Sequence, residues 1–243
     1  MPQAAVIVAA ALVLIALERR FPHTPGQRLF RDGFFTDLVG YALVESYLVG
    51  LVIAFIIEHL GTPGHVVTGW PVPLQLAFFV VTHDLYIYCF HRLQHRSPLL
   101  WRLHEAHHST RDVDWLSGAR SHALEILINQ TIEFAPIVLL GAAPEVALWK
   151  GAVSAIWGMY IHANLDVRAG WLQLVLNGPE MHRWHHSADE ADGAYNYGTK
   201  LAVWDWLFGT ARRPPEKPRA YGLSEAGFPS GFIAQQLHAF RRR

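Results

Sequence analysis

Cysteine is nearly missing: Cys89 is the only one in 243 residues. That excludes an intramolecular disulfide and any metal site built on several thiolates. Cys89 itself reads as a small apolar residue inside a buried helix. Charge is scarce too. Asp, Glu, Lys and Arg make up 16% of the chain, against roughly 25% in an average soluble domain. Twenty basic residues balance twenty acidic ones, so net charge gives no sign of a nucleic-acid partner. No Gly-x-Gly-x-x-Gly run occurs, which removes the usual dinucleotide signal. No low-complexity segment breaks the chain, and the only repeated pattern is a short histidine run described below.

What replaces charge is long apolar sequence. A membrane-crossing helix needs about 20 mostly apolar residues. Gln3 to Leu17 is the first such stretch, and it ends at Glu18-Arg19-Arg20. In a signal peptide the basic residues precede the apolar run; here they follow it, so a membrane helix is expected. Asp37 to Leu60, with Glu45 inside it, is the second stretch, and Val72 to about Tyr88 is the third. His122 to Leu140 and Pro144 to Ile161 follow, separated only by Gly141-Ala142-Ala143. These last two read either as two spans or as one re-entrant hairpin. Glu45 and Glu133 fall inside predicted spans, where ionisable groups are costly and become functional candidates. Each could instead be neutral and hydrogen-bonded inside the bundle.

Lys and Arg placement sets the orientation. With the N-terminus outside, the turn from Gly61 to Pro71 also lies outside and carries neither residue. Of the twenty basic residues only Lys150 then falls away from the cytoplasmic side, near the outer end of the fifth stretch, where its stem could snorkel. The expected fold is an all-α integral membrane protein, with about four to five membrane helices under a cytoplasmic helical cap. Its parts are N-terminal membrane helices (1–75), a catalytic domain (76–223) and a C-terminal tail (224–243). From Ser230 to Arg243 the tail reads as a short helix lying on the membrane surface with Arg241 to Arg243 toward anionic headgroups, or as a frayed basic terminus.

The chain holds fifteen histidines, and three runs contain eight of them. His91 and His95 are four apart. His104, His107 and His108 form His-x-x-His-His, and so do His182, His185 and His186. On an α-helix, positions i, i+3 and i+4 share a face, so each triplet makes a triangle of imidazoles. Imidazole suits Fe, Zn, Cu and Ni, and two triangles plus a pair supply enough nitrogens for two ions. His23, His59, His65 and His238 match no pattern and read as surface residues; His83 stands outside the pattern too.

The surrounding residues sharpen this. Asp84-Leu-Tyr-Ile-Tyr88 leads into His91-Arg92, Leu100-Trp101 precedes the second run, and Ser109 and Ser187 follow the second and third. His162-Ala-Asn164-Leu165, Asn196-Tyr197-Gly198 and Trp204-Asp-Trp-Leu-Phe-Gly-Thr210 complete the set. In order and spacing these resemble the fatty acid hydroxylase and sterol desaturase superfamily over roughly residues 76 to 223. The resemblance implies a di-metal centre with two Fe ions, for which Zn can substitute in purified protein, and O2 as co-substrate. The ligands it implies are His91, His95, His104, His107, His108, His162, His182, His185 and His186; spacing alone would not have found His162. It also implies oxidation of a C–H bond in a lipid such as a sterol or fatty acyl chain, by hydroxylation or desaturation. The electrons would come from an external ferredoxin or a cytochrome b5-type protein with its reductase, since the chain leaves no room for a haem domain.

Supporting roles are expected nearby, because a metal-bound imidazole usually donates its other N–H. Asp84, seven residues before His91, is the first candidate, with Asn164 and His122 after it. His122 and Glu125 sit at a helix start and could hold the site, hold a substrate head, or simply cap the helix. Glu105 falls on another face and is expected to meet solvent or Arg102. Asp205 is expected to be structural. Trp101, Trp115, Trp184, Trp204 and Trp206 suit an interfacial belt or the walls of a lipid channel. Two other readings compete. A metal transporter would place its site near the bilayer midplane, not at the cytoplasmic end. A zinc hydrolase normally needs three protein ligands and an open position, which nine histidines exceed.

Overall fold

The computed structural model describes residues 2–189, 194–225 and 227–241. Among these residues no strand forms; three isolated bridges are the only extended pairing. Helix α1 is Pro2–Arg20 and α2 is Thr36–Glu58, whose first part, Thr36–Glu45, is wound as a π-helix. Helix α3, Val72–Arg96, starts on the Val-Pro pair at its first turn, where proline's missing N–H costs nothing. It stops at Arg96, two residues before Pro98. Ser97 then caps α4, Pro98–His108, by accepting from the Leu100 amide. Helix α5, Ala123–Leu139, is capped by His122 Nδ1, which accepts from the Leu124 amide. Helix α6 is Pro144–His162, α7 is Pro179–His185, α8 is Val203–Leu207 and α9 is Phe232–His238.

Helices α1, α2 and α3 are long and apolar enough to cross a membrane. Only 11% of the apolar window of α1 is buried within the protein. Val8, Leu12 and Val13 on α1, and Leu43, Tyr47, Leu48 and Phe55 on α2, all face outward. A continuous apolar surface of this extent is stable only against hydrocarbon or a partner. Helices α5 and α6 are not among the three. Their connecting turn nonetheless docks on the α2–α3 loop: Gly64 N bonds Leu139 O and Val67 N bonds Leu140 O, and Thr68 Oγ1 donates to Gly141 O. Gly141 has φ +73°, and a Cβ there would collide with Gly64 O, so this contact requires glycine. Val67, Phe79, Ile137 and Val146 form the small core at that end.

At the opposite end the helices are tied by buried charge. The Glu18 carboxylate ends α1 by accepting from the amides of Trp115 and Asn164. Asp37, fully buried, takes Arg31 at 2.8 Å and Arg120 at 2.7 Å, and Arg31 also meets Asp114 at 2.8 Å.

Several expectations are corrected here. Cys89 is exposed on the outer face of α3, because its neighbours Tyr88 and His91 take the inward positions. Lys150 does not snorkel: it is completely buried and donates to Glu133, His83 Nδ1 and Ser154. A carboxylate one helix away satisfies it better than a distant interface. The tail helix α9 packs inward through Gln235 on the Tyr41 hydroxyl and Gln236 on Glu45. Arg242 and Arg243, part of the expected headgroup contact, lie outside the described residues.

Removing one member of a buried ion network leaves its partner's charge uncompensated. Asp37→Ala should therefore lower the unfolding free energy by about 3–5 kcal/mol, with Asp37→Asn losing less. Denaturation of the detergent-purified variants, followed by helical circular dichroism, checks this; a loss under about 0.5 kcal/mol, the size of an ordinary surface change, would refute it.

Candidate metal centre

The nine histidines implied by sequence come together, contributed by α3, α4, α6 and α7. Their side chains fall into two groups, within each of which the possible ligand nitrogens all lie within 4.8 Å of one another. One group is His91, His95, His104, His108 and His185; the other is His107, His162, His182 and His186. All are buried except His95, which is half-buried. The groups abut, with the His108 and His186 rings stacked 4.5 Å apart.

The triplets are not triangles serving one ion each. Each is split between the groups: His104 and His108 go one way and His107 the other, and His182 and His186 one way and His185 the other. The reason is angular. At about 100° per residue, i and i+4 point only about 40° apart, while i+3 and i+4 diverge by about 100°. The closely aligned pair enters one group and the divergent ring enters its neighbour.

Five rings are locked from behind. His91 Nδ1 donates to Tyr197 O at 2.8 Å, His107 Nδ1 to Arg120 O at 2.9 Å, His162 Nδ1 to Gly158 O at 2.7 Å and His185 Nδ1 to Tyr195 O at 2.9 Å. His104 Nδ1 bonds the Glu125 carboxylate at 2.9 Å. A carbonyl oxygen only accepts, so the proton of each carbonyl-bonded ring sits on Nδ1, and its Nε2 lone pair faces inward. Burial pulls the pKa of His104, His107, His108, His182, His185 and His186 below the ordinary imidazole value. Neighbouring imidazoles push all of these but His107 further down. The rings are therefore neutral and ligand-competent at neutral pH.

This arrangement fits a cation. His162 Nε2 stands 3.2 Å from His107 Nε2, 3.2 Å from His186 Nε2 and 2.9 Å from His182 Nε2. With the protons of His107 and His162 held behind, their facing nitrogens have no proton to share. Metal–imidazole bonds of about 2.0–2.1 Å give nitrogen–nitrogen edges of about 3.0–3.4 Å, matching these separations. The Nε2 atoms of His91, His95 and His185 are buried with no hydrogen-bond partner. Nitrogens arranged this way, unpaired and converging, suit a first-row metal.

The supporting residues differ from expectation. Asp84 touches no imidazole. It accepts from Thr199 Oγ1, the amides of Lys200 and Leu201, and Trp204 Nε1. With Asp205, which takes the amides of Tyr197 and Gly198, it holds the loop whose carbonyls fix His91 and His185. Asn164 pairs with the backbone of Thr24 rather than with a ligand ring. His122 bonds Gln236 O, and Glu125, three residues on, makes the carboxylate–histidine contact. Glu105 is buried and turned toward His238, 3.9 Å away. Thus, although residues 104–108 also satisfy His-Glu-x-x-His, this glutamate does not stand as the base of a zinc hydrolase. Sequence reasoning missed the backbone acceptors, which carry no side-chain signal. It also missed Gly118, where a Cβ would stand 2.5 Å from His162 Nδ1; a lone glycine before Arg120 gave no reason to suspect a close approach.

Fold and site together define a helical protein with three potential membrane helices and a buried, histidine-only double ligand set. The comparisons place it more closely. The family model for fatty acid hydroxylase matches residues 76–210, and the chain belongs to that family. It is 38% identical over 175 residues to the ornithine lipid hydroxylase OlsE of Rhizobium tropici, covering 72% of this chain and 53% of that one. It is 32% identical over 141 residues to human alkylglycerol monooxygenase, covering 58% and 31%. With fatty acid hydroxylase vlmA of Lecanicillium it shares 27% over 155 residues, covering 56% and 41%. The chain thus spans about half the length of the first relative and about a third of the second. No solved structure matches it significantly.

Outer partners that orient metal-bound imidazoles are worth about 10–100-fold in metal affinity. Glu125→Gln should weaken metal retention by that factor in a chelator competition while leaving the helical signal intact; unchanged retention would remove Glu125 from the site.

Proposed function

We propose that this chain is an integral membrane, O2-dependent di-iron enzyme that oxidises a C–H bond of a lipid, by hydroxylation in the first instance. The observation that carries the reading is the convergence of buried imidazole nitrogens into two adjoining groups, four of the rings turned Nε2-inward by carbonyls behind them. The names of the relatives, hydroxylases and monooxygenases acting on lipids, support the reaction class. The proposed ligands are the five histidines of one group and the four of the other. Loaded with two reduced irons, the site would supply the O2 activation that an unreactive C–H bond requires.

The protein's own part is positioning. A cavity of about 240 Å³ ends on His91, His104, His107, His162 and His182, and Ile87, Phe90, Ile126, Trp157 and Ile161 help to wall it. These side chains would hold the substrate carbons and keep bulk water out. Its neck continues into a wider apolar cavity between α1, α2, α5 and α6, suited to an alkyl chain arriving from the bilayer. A separate cleft reaches His95, His108 and His185 from another direction, with Arg96 and Trp101 at its side. The Trp101 ring lies 5.0 Å from His95 and 5.3 Å from His108. With Arg96 at its rim, this face suits an acidic electron donor of the ferredoxin or cytochrome b5 type. The basic bias of the loops supports a cytoplasmic position for it, and the docking of the α5–α6 turn on the α2–α3 loop favours a hairpin that reaches the far side of the membrane.

Elemental analysis of detergent-purified protein expressed with excess iron tests the reading. About two metals per chain, iron or iron-replaceable zinc, are expected, with clear loss in His107→Ala and His185→Ala. Lipid- and reductant-dependent O2 uptake should accompany them. Folded protein without tightly held metal would overturn the site, and metal flux without O2 uptake would favour a transporter.

A further inference from the structure

The wider cavity, about 640 Å³, and the inner one share Gly118, Ile126, Gln130, Glu133, Ser154 and Gly158. These residues form a neck. A third cavity of about 260 Å³, beside α3, is also lined by Glu133, so this residue borders all three. Its Oε1 accepts from both Lys150 Nζ and Ser154 Oγ. Lys150 is completely buried and directs its ammonium protons at Glu133, Ser154 and His83. Among the described residues no donor reaches Glu133 Oε2, and that atom is not sealed from the cavities as the buried, unpaired polar atoms are.

An ion pair in a lipid-facing bundle is expensive, and apolar residues of the same volume would hold the helices as well. A pair placed in the neck of a lipid cavity, with one carboxylate oxygen unused, points to a ligand that donates a hydrogen bond. Lys150 cancels the charge, so the neck does not demand a cation; a hydroxyl serves as well as an ammonium.

Resting on the proposed lipid oxidation, we infer that Glu133 is the anchor for the polar group of the substrate, an amphiphile that bears a hydroxyl or amine. The donor bonds Glu133 Oε2, and the alkyl chain runs from there through the inner cavity, which Glu133 and the histidines both line. Glu133 follows Glu125, the partner of His104, by about 12 Å along α5, so oxidation falls several carbons from the polar end. Lys150 is a positioning residue that fixes the carboxylate from behind.

Binding of radiolabelled 1-hexadecanol, 1-hexadecylamine, 1-methoxyhexadecane and hexadecane to the purified full-length protein, corrected for empty micelles, tests this. A hydrogen bond to a charged group predicts that the alcohol and amine bind at least about tenfold tighter than the ether and the alkane. Glu133→Leu combined with Lys150→Met replaces the pair by apolar side chains and avoids stranding a charge. In that variant the preference should fall to within about twofold, well below one hydrogen bond's worth, with alkane affinity and metal content unchanged. Glu133→Gln, which keeps an acceptor oxygen, should retain part of the preference for the alcohol. No preference in the parent protein, or full preference in the double variant, overturns the anchor. Metal content and O2 uptake on the same preparations separate the two readings. Metal and lipid oxidation without donor preference sink the anchor alone, whereas donor preference in metal-free, inactive protein sinks the proposed reaction.

Discussion

Imidazole nitrogens about 3 Å apart with no proton between them, as at His162 against His107, repel, and the fold gathers nine rings against that repulsion. Much of the surrounding structure serves this constraint. The carbonyls of Tyr195, Tyr197, Arg120 and Gly158 take Nδ1 protons and so set the inward direction of Nε2. Those carbonyls are held in turn. Asp84 and Asp205 clamp the 197–204 loop through backbone amides, and the Arg120 side chain is gripped by Asp37. Buried Arg183, between two of the rings in sequence, ties α7 to Val113 O and Ala163 O. Most of these ties run between segments distant in sequence, while the nitrogens left unpaired, His91, His95 and His185 Nε2 among them, are those that face the site.

The same chain faces two media. Helices α1 and α2 present apolar side chains outward over most of their length, while the histidines sit at the ends of α3 and α6 and on the short helices α4 and α7. The apolar cavity opens among the long helices, and the cleft beside Arg96 and Trp101 opens elsewhere. Two different molecules can therefore approach one buried site without competing for the same surface.

Much of this was legible in the sequence, for identifiable reasons. Apolar runs gave four of the five long helices nearly to their ends, while the third runs past Tyr88 to Arg96 because its last two turns carry His91, Arg92, His95 and Arg96 and are not apolar. The i, i+3, i+4 spacing gave eight of the nine clustered rings, and family resemblance added His162. What stayed hidden depended on contacts between distant segments. The division of each triplet requires knowing where α4 and α7 stand relative to each other. Lys150 looked like an interfacial lysine because Glu133 is seventeen residues earlier on a different helix. Asp84 is seven residues from His91, the right spacing for its face, yet the amides of the 199–201 loop reach it first. Glu105 seemed solvent-facing because nothing local foretold that α9 would fold back over α4.

The split of the two His-x-x-His-His runs has a mechanical consequence. Helices α4 and α7 each serve both groups, so neither group can tighten, loosen or shift without dragging the other through a rigid helical turn. An ion seated in the first group would fix both helices and spare the second ion most of that ordering entropy. Occupancy of one position would therefore bear on the other through the two helices that they share.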